Sequence, residues 1–137
     1  LVHGKGDVVR AVLEGVALNI KWVYNVVERM TRRQEHVYIT GGGAQSSLWC
    51  QVVSNAINRV LWRIEDPQDA TLRGASVIAS VALGLTSFKD ATSRFKIDKV
   101  FEPDERSAGY YEKLFRIYVK AYRALRGLMK DLSSLKH

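Results

Sequence analysis

The stretch from His36 to Asn58 constrains the fold most, because three consecutive glycines separate two segments of different hydrophobic period. Before the glycines, Val37–Thr40 is short and rich in β-branched residues, which is typical of a strand. After them, apolar residues recur in pairs at a helical spacing. These pairs are Leu48/Trp49, Val52/Val53 and Ala56/Ile57. The sequence therefore predicts a strand, a glycine turn and a helix.

The glycine turn has two interpretations. Gly41, Gly42 and Gly43 allow backbone N–H groups to approach a ligand closely, and the following helix would direct the positive end of its dipole there. A polyanion or the edge of a nucleotide would fit such a place. The triplet also fits an ordinary tight turn, and it matches neither common glycine-rich nucleotide motif. Ser46 or Ser47 is the expected N-cap, and both hydroxyls either cap the helix only or also touch a ligand.

The position of the turn favours a ligand. A second short strand, RVLWRI (59–64), follows the helix closely. A strand, helix and strand in this order form a right-handed crossover with two parallel strands. Ligands of parallel sheets bind beyond the carboxyl ends of the strands, and the glycine turn follows such an end.

The other helices are predicted from apolar spacing. Asp7 can cap a first helix of about 25 residues whose valine-rich stripe should face the core. The helix Ala70–Leu85 is rich in small residues and is predicted to be buried. Residues 86–101 suggest a short helix and an extended connection. Pro103 opens a long last helix with a heptad rhythm. Its apolar positions are Tyr111, Phe115, Tyr118, Tyr122, Leu125, Met129 and Leu132.

Three interpretations exist for the last helix: a coiled-coil seam, docking on its own or a neighbouring domain, and a basic face that grips nucleic acid. Tyrosines disfavour the coiled coil, since each hydroxyl needs a partner. The net charge of +7 favours a polyanion only weakly, because the basic residues are spread through the chain. Docking is therefore preferred.

Composition and single residues restrict the class of protein. No run approaches the ~18 apolar residues of a membrane span, and the single cysteine, Cys50, fits a reducing cytoplasm as a structural thiol. The histidines (His3, His36 and His137) make no catalytic group with neighbours, and His36 is expected just outside a strand. The acidic loop Glu65–Asp69 is expected to be a solvated turn, the alternative being a metal site. The sequence predicts no catalytic residue and no metal ligand.

Four blocks in order resemble the C-terminal domain of the FGGY family of carbohydrate kinases, and the xylulokinase-like branch is most similar. They are RAVLEGVALNI (Arg10–Ile20), ITGGGAQSSLWCQVVSNAINRVL (Ile39–Leu61), GASVIASVALG (Gly74–Gly84) and PDERSAGYYEKLFRIYVKAYRAL (Pro103–Leu125). The resemblance implies an α/β fold that is part of a ribonuclease H-like (actin-like ATPase) domain. This domain would be helix-rich, with a short parallel sheet and a long C-terminal helix.

The resemblance also implies a function. Family members transfer the γ-phosphoryl group of Mg-ATP to a sugar hydroxyl. Their glycine-rich turn lies against the nucleotide, so Gly41, Gly42 and Gly43 are expected to approach the adenosine and phosphates. Ser46 and Ser47 are expected near the adenine. ATP and Mg²⁺ are therefore the implied substrate and ion, in the full-length enzyme.

The remaining expectations concern the extent of the chain. Residues 1–137 are expected to form one domain, cut from a longer cytoplasmic kinase, because the chain starts at Leu1 without methionine. The sugar-binding residues, the aspartate base and the opening β-hairpin of the C-terminal domain would precede it.

Gln51 is expected to be structural, and Asn55 replaces a common aspartate. The partners would be ATP, a sugar and a second copy of the chain, with no membrane. The alternative function is a basic-helix module for nucleic acid or protein.

Overall fold

The computed structural model describes residues 2–31 and 33–135, so Leu1, Arg32, Lys136 and His137 lie outside the described residues. The elements in chain order are α1 (Lys5–Met30), β1 (His36–Ile39), α2 (Ser47–Ile57), β2 (Val60–Ile64), α3 (Ala70–Ala82), α4 (Phe88–Thr92), β3 (Ile97–Phe101) and α5 (Glu105–Ser134). Short 3-10 helices at Gly42–Gln45 and Pro67–Asp69 follow β1 and β2.

The sheet is mixed, with β2 between β1 and β3. The predicted parallel pair is confirmed, since Val37 of β1 is paired in parallel with Leu61 of β2. The expectation of a purely parallel sheet is wrong in one respect. Residues 97–101, expected as an extended connection, form β3, which is antiparallel to β2 and pairs Phe101 with Leu61. The β-branched and aromatic residues of IDKVF suit this role.

The core lies between α2 and one face of the sheet. The buried residues of α2 are Cys50, Val52, Val53, Ser54, Ala56 and Ile57. They pack in one cluster with Leu61 and Phe101 from the sheet and with Ala17 and Leu18 from α1. Helix α2 is thus the central element, and the glycine turn leads directly into it.

The start of α1 differs from the prediction. The N-cap is Gly4 rather than Asp7. Asp7 lies in the first turn and its carboxylate accepts a hydrogen bond of 2.8 Å from the backbone N–H of Gly4. This reverse contact satisfies one of the free amides that precede a helix, and it places a negative charge at the positive end of the dipole.

The predicted apolar stripe of α1 is only partly buried. Ala17 and Leu18 are in the core, but valines expected to face it, such as Val12 and Val23, are 63% and 59% exposed. The side of α1 that packs on α2 carries Lys21 among its buried residues. The prediction failed because periodicity identifies an apolar face without identifying the element that covers it.

Helix α3 is not the buried core helix that was predicted. It has no buried residue, and its Leu72 and Ile78 are 73% and 63% exposed. Its main contacts are with α4 and with the 3-10 helix Pro67–Asp69. Small side chains permit close packing but do not require it, so composition alone overestimated the burial of α3.

Helix α5 docks on its own domain along its first half. Tyr111 is buried, and Phe115 and Tyr118 pack against the core. Beyond this point the heptad positions are exposed, as at Leu125 and Met129. The preferred interpretation of docking is confirmed for the first half of α5. No helix of the described residues is long and apolar enough to cross a membrane.

Lys21 joins three helices at the centre of this packing. Its ammonium group donates a hydrogen bond of 2.9 Å to the carbonyl of Ala56 in α2. It also lies 3.2 Å from Glu112 of α5, and 5.5 Å from the ring centroid of Phe115. A buried ammonium is stable only with such partners, so Lys21 fixes the positions of α2 and α5 relative to α1.

Candidate functional site

The glycine turn begins at a residue whose backbone only glycine adopts readily. Gly41 has φ +89° and ψ 172°, a region that is costly for any residue with a Cβ atom. Its N–H donates a hydrogen bond of 2.6 Å to the carbonyl of Pro67. A 3-10 turn follows, in which the N–H of Ala44 bonds to Gly41 O. The geometry of the turn therefore requires glycine at position 41.

The turns after the two parallel strands are joined to each other. Besides the bond from Gly41 to Pro67, the Gln45 amide donates a hydrogen bond of 3.1 Å to the side-chain oxygen of Gln68. Both turns lie at the carboxyl end of their strands. They form a continuous ledge at the edge of the sheet where ligands of parallel sheets bind.

The three glycines have different surroundings. A Cβ atom at Gly41 or Gly42 would meet open space, whereas a Cβ atom at Gly43 would lie 3.1 Å from Nε1 of Trp49. Gly43 thus makes room for the indole of Trp49. The other two glycines leave the outer surface of the turn free, which is the room that a ligand would use.

Both predicted serines are located at the start of α2. Ser46 is the N-cap, and its hydroxyl oxygen accepts a hydrogen bond of 3.2 Å from the N–H of Trp49. Ser47 is the first helical residue, and its hydroxyl oxygen accepts a hydrogen bond of 3.3 Å from the ammonium group of Lys99. Of the two alternatives for the cap, the structure selects Ser46. The structure therefore brings Gly41, Ser46 and Ser47 to one edge.

Two basic residues at this edge were missed by the sequence analysis. Arg63 binds the Asp98 carboxylate with two N–H groups, each at 2.8 Å, and donates a third bond to the carbonyl of Ala44 at 3.2 Å. Lys99 lies beside it, since Arg63 and Lys99 are paired across β2 and β3. The β-branched and aromatic residues of IDKVF were the available signal, but the segment was expected to be an extended connection.

Asp98 forms an ion pair with Arg63 at this edge, and Lys99 adds a further positive charge. The hydrogen bond from Arg63 lowers the pKa of Asp98 below its ordinary value, and the same bond raises the pKa of Arg63. The Lys99 ammonium group lies 5.2 Å from the ring centroid of Phe101. Since Asp98 already pairs with Arg63, the ammonium group of Lys99, which lies 3.3 Å from the Ser47 hydroxyl, could contact an anion near Ser47.

Cys50 is a buried structural thiol, as predicted. Its side chain is fully buried and donates a hydrogen bond of 3.3 Å to the carbonyl of Ala44. Burial raises the pKa of the Cys50 thiol, which disfavours the nucleophilic thiolate. Through this hydrogen bond, the thiol holds the 3-10 turn against the buried side of α2.

Gln51 and Asn55 hold the connection between β3 and α5. The Gln51 amide donates hydrogen bonds to the carbonyl of Glu102, at 2.7 Å, and to the Asn55 side-chain oxygen, at 3.0 Å. The same oxygen of Asn55 accepts a hydrogen bond of 2.9 Å from the N–H of Asp104. Both side chains are structural, as expected for Gln51.

The described histidines and the acidic loop have ordinary structural surroundings. His36 is the first residue of β1, not outside it, and its ring stacks on Trp62 with centroids 3.8 Å apart. His3 is exposed near Asp7, and His137 lies outside the described residues. Asp66 pairs with Arg73 at 2.9 Å. Within residues 2–31 and 33–135, no three His, Cys, Asp or Glu side chains form a group that could hold a metal ion.

Residues 2–83 match the model of the C-terminal domain of the FGGY family of carbohydrate kinases. A xylulose kinase of Staphylococcus epidermidis is 27% identical over 135 residues, which are 97% of this chain and 27% of that protein. The chain thus spans about a quarter of the length of the curated relatives it matches. The similarity to xylulokinase-like members that the sequence predicted is confirmed.

Solved structures agree with the family model. The ligand-bound xylulose kinase of Lactobacillus acidophilus superimposes with a TM-score of 0.77 and 30% identity, over 90% of this chain and 25% of that one. The gluconate kinase of the same organism gives a TM-score of 0.76, 30% identity and the same coverage. The fold is therefore part of the actin-like ATPase architecture. The comparisons give no support to a nucleic-acid module. The chain belongs to the FGGY family of carbohydrate kinases and forms part of its C-terminal domain.

Proposed function

We propose that this chain is the C-terminal, nucleotide-binding part of an ATP-dependent sugar kinase of the xylulokinase-like type. The full kinase transfers the γ-phosphoryl group of ATP to a sugar hydroxyl. The observation that carries the proposal is the ledge formed by Gly41 and the Pro67 turn at the carboxyl end of the parallel strands. Membership of the FGGY family supports ATP as the ligand, and the geometry of the two turns supports this edge of the sheet as its site.

The contribution of this chain would be to bind and orient ATP. Phosphoryl transfer depends on positioning and on neutralising charge rather than on covalent chemistry by the protein. Gly41 and Gly42 leave room for the nucleotide, and α2 directs the positive end of its dipole at it. Ser46 and Ser47 lie at the same helix end, and Lys99 adds a positive charge beside Ser47. ATP would therefore lie across the turn with an anionic group near Lys99.

Within the part of the chain that the structure describes, no three His, Cys, Asp or Glu side chains form a group that could hold a metal ion. Mg²⁺ in kinases is commonly held by one or two carboxylates and by the substrate phosphates. We assign no step of the reaction to a metal held by this chain. The ion would come with ATP, and its protein ligands would belong to another part of the kinase.

The proposal includes the domain division. Residues 1–137 form one domain, and an N-terminal domain supplies the sugar site and the catalytic base. The family members named above act on xylulose or gluconate according to their names, and we propose a sugar of this kind as substrate. The lone cysteine supports a cytoplasmic location.

Two measurements on the 137-residue chain test this proposal together. Equilibrium dialysis with ATP should show saturable binding, and an assay with Mg-ATP and xylulose should show no turnover above background. Turnover by this chain would contradict the assignment of the base to another domain. Absence of any ATP binding would contradict the nucleotide-binding role.

A further inference from the structure

A second cleft lies between α3 and α4 and shares no residue with the glycine turn. Its volume is about 470 Å³, within the range of small-molecule sites. Arg73 and Ser80 of α3 form part of one wall, and Arg94, just after α4, forms part of the other. The proposed function uses none of these residues.

The cleft has an excess of positive charge. Arg73 pairs with Asp66 at 2.9 Å, but Asp66 does not line the cleft. Arg94 makes no ion pair with any residue that the structure describes, in contrast to Arg59 and Arg63, which each bind a carboxylate. Asp66 compensates the charge of Arg73, whereas the charge of Arg94 has no carboxylate partner among the residues that line the cleft. An anion bound there would compensate Arg94 and gain charge-assisted hydrogen bonds.

Hydroxyl groups complete the set of donors. Ser76 and Ser80 follow Arg73 by three and seven residues, so all three share one face of α3. Thr86 lines the cleft between the two helices. Arg73 uses one N–H group on Asp66, and the Thr86 hydroxyl donates to the carbonyl of Ser87. The other guanidinium donors of Arg73 and Arg94, with the two serine hydroxyls, still exceed what the two oxygens of a carboxylate can accept. They match the three oxygens and the charge of about −2 on a phosphate monoester.

The remaining lining is apolar, with Leu72, Val77 and Phe95 among its residues. Inorganic phosphate alone would leave this surface wet and most of the volume unused. From this combination we propose that the cleft binds a phosphate monoester with a small apolar or aromatic body. The phosphate contacts Arg73 and Arg94, and the body packs on Val77 and Phe95.

Titration of the 137-residue chain with phenyl phosphate, followed through backbone amide NMR shifts, tests the proposal. We expect saturable shifts at Ser76, Ser80 and Ala91. Phenyl phosphate should bind more tightly than inorganic phosphate, and phenol should cause no saturable shift. Arg94→Gln should weaken phenyl phosphate binding at least about tenfold, as expected for the loss of a charge-assisted hydrogen bond. Arg106→Gln removes the same charge from an exposed position on α5 and should leave binding unchanged.

Arg94→Lys keeps the charge without the planar fork and should weaken binding less than Arg94→Gln. Equal weakening by Arg94→Gln and Arg106→Gln would reduce the effect to net charge and overturn the proposal. Shifts confined to Gly41–Ser47 would also overturn it, because the anion would then occupy the proposed nucleotide site. Neither result would contradict ATP binding at the glycine turn, so the two proposals fail separately.

Discussion

The backbone N–H of Gly41 and the carbonyl of Pro67 are 2.6 Å apart and join the turns that follow the two parallel strands. To form this bond, the N–H of Gly41 must point towards the second turn. Gly41 adopts a positive φ of +89° in this arrangement. The shape of the ledge therefore depends on one backbone conformation.

Gly41→Ala should destabilise the domain by about 1–3 kcal/mol, the cost of placing a Cβ atom in this region of φ and ψ. Urea unfolding followed by circular dichroism measures the change. Gly42→Ala is the matched control, because a Cβ atom there meets open space and no positive φ is required. An equal effect of both substitutions would show that backbone strain at Gly41 does not control the turn.

Lys21→Met should destabilise the domain by about 1–3 kcal/mol, because the carbonyl of Ala56 and the carboxylate of Glu112 lose their shared partner. The comparison is Lys113→Met, which removes a lysine from the exposed side of α5 and should change the free energy of unfolding by less than about 0.5 kcal/mol. A Lys21→Met protein as stable as the parent would show that apolar packing alone orients α5.

The stability of the fold should fall in acid through the Glu28–Arg59 pair. Arg59 donates hydrogen bonds of 3.1 and 2.5 Å to Glu28, and these lower the pKa of Glu28 below its ordinary value of 4.5. A lowered pKa means that the stabilising contribution is present above pH 4.5 and is lost as the pH falls through the pKa of the folded state. Asp98, whose pKa Arg63 lowers, acts in the same direction.

Urea midpoints between pH 7 and pH 3 measure this effect. Glu28→Gln should lower the midpoint at pH 7 and flatten its decline in acid. Glu105→Gln removes the same charge from the exposed first turn of α5 and should keep the full decline. A Glu28→Gln protein with an unchanged decline would exclude this pair as the source.

The 137-residue chain should self-associate as its concentration rises. Among the described residues, β1 and β3 each pair with β2 alone, so the outer edge of β1 has no strand partner and neither has that of β3. Exposed valines of α1, including Val12 and Val23, add apolar surface. Sedimentation velocity should show a rising mean mass, and the double substitution Val12→Lys/Val23→Lys should reduce it. A strictly monomeric parent chain at high concentration would contradict the prediction.

The sequence predicted the elements that depend on local pattern. The glycine triplet between two periodicities located β1 and α2, and the Ser46 hydroxyl was a strong signal for a cap. The sequence did not predict which element packs against each apolar helix face. The valines of α1 and the small residues of α3 show clear patterns, yet the structure leaves most of them exposed. The burial of a helix face depends on which other elements pack against it, and the sequence of that helix alone does not determine this.

In the candidate site, too, the sequence predicted residues with local roles but not residues whose roles depend on long-range contacts. Gly41 and Ser46 were found because their roles are local: a backbone conformation and a cap. Arg63 and Lys99 were missed because their roles depend on the pairing of β2 with β3, across 35 residues of sequence in the case of Arg63 and Asp98. The resemblance to the family named the ligand but contained no information about Lys99. Long-range charge contacts therefore required the structure.

Amide hydrogen exchange with and without ATP tests whether the nucleotide binds at the glycine turn, since it reports on Gly41–Ser47 residue by residue. We predict that saturating ATP slows exchange of these amides, that Lys99→Met weakens the protection, and that Lys113→Met does not. Adenosine alone should protect less, because it lacks the anionic groups that Lys99 and α2 would attract. Unchanged exchange at Gly41–Ser47 in saturating ATP would contradict the account.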